Sequence, residues 1–202
     1  MGRSERAHAV TAFGLRIKSG YAIAVVLGGS RRAPVPLARR IVELSDADRP
    51  ETRQPYHDGF GKEQDDPREI RRRIGIITRC AGRSVAAFVR DSLDDAGGGT
   101  GNAAAGLVVG SLIDPNEVAN PHIRAHAHEG RLFRTVVEDA LRTQGIACSI
   151  HLEKELTATA TAELRRAEAA IRQTVAGFGK TIGGPWRAEE KAAAIAAWLC
   201  LT

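Results

Sequence analysis

Apolar residues near the start of the chain recur with a period of two. Phe13, Leu15 and Ile17 alternate with Gly14, Arg16 and Lys18, and after Ser19-Gly20 the run from Tyr21 to Leu27 is almost wholly apolar. This pattern predicts two strands joined by a tight antiparallel turn. Gly28-Gly29-Ser30 marks the next turn, and Val35 to Leu44 supplies a third, less buried strand. At Asp66-Pro67-x-Glu69 the period changes. Asp at the N-cap, Pro at the first helical position and Glu at the third open a helix whose Ile70, Ile74, Ile77, Ala81, Val85 and Phe88 recur every three or four residues to about Asp95.

The second half alternates strand and helix. Residues 96–105 read as a Gly/Ala-rich linker, whose Gly97 to Gly101 run lacks the Lys and the following helix that a phosphate loop requires. Gly106 to Ile113 is a short continuous apolar run, as expected of a strand buried on both faces. Asn120-Pro121 opens a helix from His122 to about Thr143, Ile146 to Leu152 is a fifth strand, and Thr157 to Phe178 and Arg187 to Leu201 read as helices. The order β-β-β-α-β-α-β-α-α predicts an α/β fold. Three strands joined by turns and two reached through helical crossovers give a mixed five-stranded sheet with helices on both faces. Residues 1–202 then form a single domain with a flexible arm at 1–10. The polar stretch 45–66 is a loop long enough to suggest work rather than mere connection.

Composition adds constraints. The 202 residues carry a net charge of +5, and the 29 basic side chains divide into 24 Arg and 5 Lys. Arg forms forked contacts with phosphate and carboxylate, which is compatible with an acidic partner, although 33 Ala beside so much Arg also fits GC-rich coding. Aromatic residues make up only 4%, which argues against a base-stacking platform for single strands. The run Arg68, Arg71, Arg72, Arg73, Arg79 and Arg83 reads as solvated helix surface with capacity for backbone phosphates. Cys80, Cys148 and Cys200 are odd in number and widely spaced, against both a disulfide framework and a zinc knuckle. With no apolar leader and no apolar stretch of about 18 residues, a cytoplasmic protein without membrane contact is expected.

The most unusual segment is Asn120 to Arg134. On a helix, His122, His126 and Glu129 fall at i, i+4 and i+7 and begin the stripe that continues as Phe133, Val136, Val137 and Ala140. Buried polar groups need partners, which leaves three readings open: a metal site, acid/base work by His126 or Glu129, or hydrogen bonding among Glu129, Arg131 and nearby backbone. The HExxH order is absent, and neither a metal nor a cofactor is assigned. His128, on the opposite face, is expected in solvent. Gly130 inside the helix predicts close approach by another segment, with Pro55 to Gly61 and its Tyr56, His57 and Asp58 as the expected partner. The catalytic candidates are His126, Glu129, His57 and Glu190. The candidates for holding a ligand or phosphate are Arg16, Lys18, Ser19, His122, Arg124 and Arg131.

These residues and this order resemble the RuvC-like branch of the RNase H superfamily. The family's first strand ends in Gly-x-Asp-x-Gly, and the corresponding run here is Gly14-Leu15-Arg16-Ile17-Lys18-Ser19-Gly20, with Arg16 at the acidic position. The family's fourth strand carries a Glu, and Gly110 or Ser111 stands near that place. Its late helix carries paired acids, and Ala188-Glu189-Glu190-Lys191 looks like the counterpart. The segments Asn120-Pro121-His122 and Glu129-Gly130-Arg131 also resemble those of bacterial proteins of unassigned activity. The resemblance implies the RNase H-like fold with degenerate acidic positions, because two-metal hydrolysis needs several converging carboxylates. The expectation is a protein that binds nucleic acid or a phosphate ligand. A phosphodiesterase or nuclease using His126 and Glu129 is one alternative. Another is a non-catalytic homo-oligomeric module with the alanine-rich last helix as its contact face.

Overall fold

The computed structural model describes residues 11–59, 62–97 and 103–202. The expected arm at 1–10 and most of the glycine-rich connector lie outside them. Five strands, β1 (Thr11–Lys18), β2 (Tyr21–Gly29), β3 (Pro34–Glu43), β4 (Ala103–Val109) and β5 (Ala147–Leu152), form one sheet in the order β3-β2-β1-β4-β5. The β1/β2 and β2/β3 ladders are antiparallel, whereas β1/β4 and β4/β5 are parallel. This is the mixed sheet that the alternation of turns and crossovers predicts.

Helices cover its two faces. α1 (Pro67–Ala96) and α2 (Pro121–Thr143) bury one core with Phe13, Leu15, Leu107, Phe88 and Phe133. α3 (Glu153–Leu164), α4 (Glu168–Ile182) and α5 (Ala188–Cys200) bury the other with Ala12, Val25, Val108 and Trp198. Local chemistry sets the helix starts. The Asp66 side chain accepts from the Arg68 N–H and the Asn120 side chain from the Ile123 N–H, each followed by Pro at the first helical position.

Three boundaries differ from the sequence expectation. β4 occupies Ala103–Val109 rather than 106–113, because its parallel register with β1 begins at Thr11↔Ala103 and ends at Arg16↔Val108. Leu112 and Ile113 lie beyond that register and are exposed. The helix expected over Thr157–Phe178 is two helices, giving three after β5. Arg165, at φ 52°, ends α3 in the left-handed region with no Gly or Pro to signal it. The 45–66 stretch carries local structure of its own: Leu44 and Ser45 donate to the Gly20 carbonyl, Pro50–Thr52 forms a 3-10 turn, and His57 bridges to Glu63.

α5 lies almost in backbone contact with the sheet. Its Ala192 to Leu199 stretch is buried, so the alanine-rich surface expected to meet another copy is spent on the chain's own β1, β2 and β4. Two strand glycines make the approach feasible. A Cβ on Gly14 would stand 1.8 Å from the Ala193 carbonyl oxygen, and one on Gly106 would stand 2.7 Å from that of Ala196. Gly14→Ala is therefore expected to lower stability by about 3 kcal/mol through overpacking. A urea midpoint equal to wild type would show that α5 sits farther from the sheet.

Candidate functional site

The carboxyl ends of β1 and β4 and the first half of α2 enclose a cleft of about 470 Å³. From β1 and the turn after it come Arg16, Lys18 and Ser19; from the loop after β4, Gly110, Ser111 and Asp114; from α2, His126, Gly130, Arg131 and Arg134. Parallel strands end at this edge and crossovers depart from it, which is where open α/β sheets leave a crevice. Five of the ten sequence candidates therefore line one cleft: Arg16, Lys18, Ser19, Arg131 and His126.

Beside it lies a second cluster built on a buried carboxylate. Glu129 has no exposed surface, and its Oε1 is 2.8 Å from His57 Nδ1. Its Oε2 is 3.4 Å from His126 Nδ1 and has no hydrogen-bond partner of good geometry. His57 Nε2 faces His122 Nδ1 at 3.3 Å, and His122 Nε2 faces His126 Nε2 at 3.3 Å. Burial pushes the Glu129 carboxyl above the ordinary Glu range, and the His57 hydrogen bond opposes that shift without reversing it. The i, i+4, i+7 spacing brings His122, His126 and Glu129 together, and the loop before α1 adds His57.

Several residues take other roles. Arg16 is 7% exposed, donating to the Ile17 carbonyl at 2.7 Å and pairing with Glu153 at 2.5 Å, so its guanidinium holds the start of α3 to the end of β1. Arg124, expected to hold phosphate, makes a forked pair with Glu63 at 3.0 and 2.6 Å. Gly130 does not receive the close approach expected of it: a Cβ there would meet nothing within 4 Å, and the residue simply borders the cleft. The loop before α1 instead meets α2 through His57, Tyr56 and Glu63. His128, expected in solvent, stacks on Tyr56 with ring centres 4.7 Å apart, and burial pushes its pKa below the ordinary His range. Arg131 lies 3.7 Å from Asp114 rather than against Glu129.

Sequence reasoning misses Arg73 and Arg134. Arg73 belongs to a run that reads as solvated, yet it is 7% exposed and donates to the carbonyls of Pro55 at 3.2 Å and His57 at 2.8 Å. It thereby carries the loop that delivers His57. The available signal is its place one helical turn after Glu69, which holds its Nε at 2.8 Å. Arg134 lines the cleft one turn beyond Gly130, and its buried Nε has no partner.

No protein-family model and no curated protein matches the chain. Among solved structures, RuvC of Thermus thermophilus aligns with a TM-score of 0.51 at 11% identity, over 94% of this chain and 92% of that one. T. thermophilus RuvC in complex with a Holliday junction substrate aligns at 0.49 and 11% identity, over 94% and 91%. The chain has the mixed-sheet RNase H-like fold of RuvC. At the cleft, β1 and the loop after β4 bring Arg16, Lys18, Ser19, Gly110 and Ser111, and among the described residues Asp114 is the single carboxylate lining it. No helix of the described residues is long and apolar enough to cross a membrane.

Glu190, one of the catalytic candidates, is 1% exposed and lies away from the cleft. Its Oε1 accepts from Arg39 at 2.8 and 3.1 Å and its Oε2 from the Arg187 N–H at 2.8 Å, closing the N-terminus of α5. Glu189 is 3.8 Å from Lys18. Burial raises the Glu190 pKa, but the Arg39 and backbone hydrogen bonds outweigh it and hold the carboxyl below the ordinary range. A depressed folded-state pKa contributes stability that is complete above the unfolded value and lost as pH falls through the folded one. Glu190→Gln is expected to cost about 2 kcal/mol at neutral pH. Unfolding measured across acid pH should show that gap narrowing below about pH 5; a gap that widens toward acid would contradict the assignment.

Proposed function

We propose that the protein binds nucleic acid or another phosphate-bearing ligand in the cleft at the carboxyl ends of β1 and β4, and that this cleft replaces the acidic two-metal site of the fold with cations and hydroxyls. The supporting observation is the lining: Lys18, Arg131 and Arg134 with Ser19 and Ser111, against Asp114 alone. Lys18 and Arg131 are the available charges, since each has only a loose acidic neighbour, at 3.8 and 3.7 Å. A phosphate entering here exchanges those long contacts for short charge-assisted hydrogen bonds. Arg16 contributes as a positioning group, because its two terminal nitrogens are already engaged.

The hydrolase reading assigned to His126 and Glu129 is not favoured by the geometry. Glu129 is fully buried and does not line the cleft, which it meets only through His126 at 3.4 Å, so it has no direct access to a reacting group there.

Filter binding against duplex DNA and structured RNA at two salt concentrations tests the proposal. Micromolar or tighter affinity is expected, falling steeply between about 50 and 200 mM salt. The double substitution Lys18→Ala with Arg131→Ala is expected to weaken binding at least tenfold and flatten the salt dependence by about one unit per lost contact. Undiminished binding by that variant, or none by the wild type at micromolar protein, would overturn it.

A further inference from the structure

We propose that His57, His122 and His126 form a binding site for a divalent d-block cation of the zinc type, with Glu129 as the carboxylate that fixes His57 from behind. Among the described residues this is the one group of three or more His, Cys, Asp or Glu side chains able to converge on an ion, with one nitrogen from each ring lying within 4.8 Å of the others. The two 3.3 Å ring contacts use different nitrogens of His122, Nδ1 toward His57 and Nε2 toward His126, so the ion takes one of them and the exposed His122 ring turns to bring the remaining separation in from within 4.8 Å. Three nitrogens at zinc–nitrogen distances of about 2.0–2.1 Å stand at about the shorter separation on a tetrahedron. His122 and His126, one helical turn apart, are exposed and free to make the remaining adjustment, whereas His57 is fixed.

The buried carboxylate is the second, independent observation. Glu129 Oε1 occupies His57 Nδ1 at 2.8 Å, so the ring's other nitrogen, Nε2, is the one that faces the other two rings, and a ring donating through Nδ1 keeps its Nε2 lone pair for an ion. Carboxylate–imidazole pairs of this form recur behind metal-bound histidines, where they set the tautomer and ring orientation. Arg73, held to the His57 carbonyl, fixes the backbone of the same residue. Three protein ligands would leave a fourth position for water or a ligand, and His126, which also lies on the wall of the basic cleft, makes the two proposed sites neighbours. The site has no carboxylate ligand and so favours imidazole-seeking cations over magnesium.

The test uses the full chain, stripped with chelator and dialysed against micromolar zinc. Elemental analysis is expected to find about one zinc per chain. Exposed His122 and His126 can be replaced without opening the core, and circular dichroism checks each variant. His122→Ala and His126→Ala are expected to abolish retention, and His151→Ala, outside the cluster, to preserve it. Glu129→Gln is expected to weaken zinc affinity about 10–100-fold. Cobalt(II) in place of zinc should give the intense visible bands of a four-coordinate ion. A hydrogen-bonded relay of three rings would place the same nitrogens in contact without a cation. No retained zinc, retention unchanged in both exposed-histidine variants, or a weak six-coordinate cobalt spectrum would establish the relay and overturn the site. Nucleic-acid binding by the zinc-free chain is scored separately, so either result can fail alone.

Discussion

A carboxylate withdrawn from water must find a partner or lose its charge, and Glu129 is withdrawn completely. Its own helix supplies only His126, at a distance too long for a good hydrogen bond. The shortfall is met by His57, which is distant in sequence and belongs to the loop between β3 and α1. The surroundings of that loop follow from this need. Arg73 holds the carbonyls of Pro55 and His57, Glu63 grips Arg124, and Tyr56 lies flat on His128. Each contact joins α1 or α2 to the same short segment, and together they hold an otherwise polar stretch against the helical layer.

The opposite face of the sheet follows a different constraint. There the helix α5 comes so near that two strand positions tolerate only glycine, and charge is confined to the rim: Arg16 with Glu153, Arg39 with Glu190, Lys18 with Glu189. Two of these pairs are close, with the arginine largely shielded, and they tie helix starts to strands. The third is loose and opens onto the cleft. The same cationic side-chain types thus serve as fasteners where a carboxylate meets them squarely and as ligand-facing groups where it does not.

The sheet order is legible in the sequence because strand alternation, turn residues and helix caps act locally and agree with one another. Asp66-Pro67 and Asn120-Pro121 mark two helix starts to within a residue. The break at Arg165 is not legible, since a left-handed arginine carries no compositional mark, and β4 is shifted because its limits are set by register with β1 rather than by its own apolar run. Within the site, helical spacing joins His122, His126 and Glu129. What spacing cannot supply is the partner choice of each charge. Arg16 and Arg124 read as free cations and are engaged in the fold, while Arg73, lost among its neighbours, supports the loop. Pairing of this kind depends on which chain segment arrives opposite, and local sequence does not encode that.

The contact between His57 and Glu129 spans 72 residues of chain. Closing a loop of that length costs on the order of 4 kcal/mol of chain entropy before any return, and the enclosed segment includes all of α1 and β4. The third ring of the imidazole cluster meets the other two only when the loop before α1 lies against α2, a placement that Arg73 of α1 supports, so the cluster reports on the docking of α1 beside α2. Whatever engages all three rings binds most tightly to the form in which α1 and α2 are docked, and its binding free energy adds to the stability of that form.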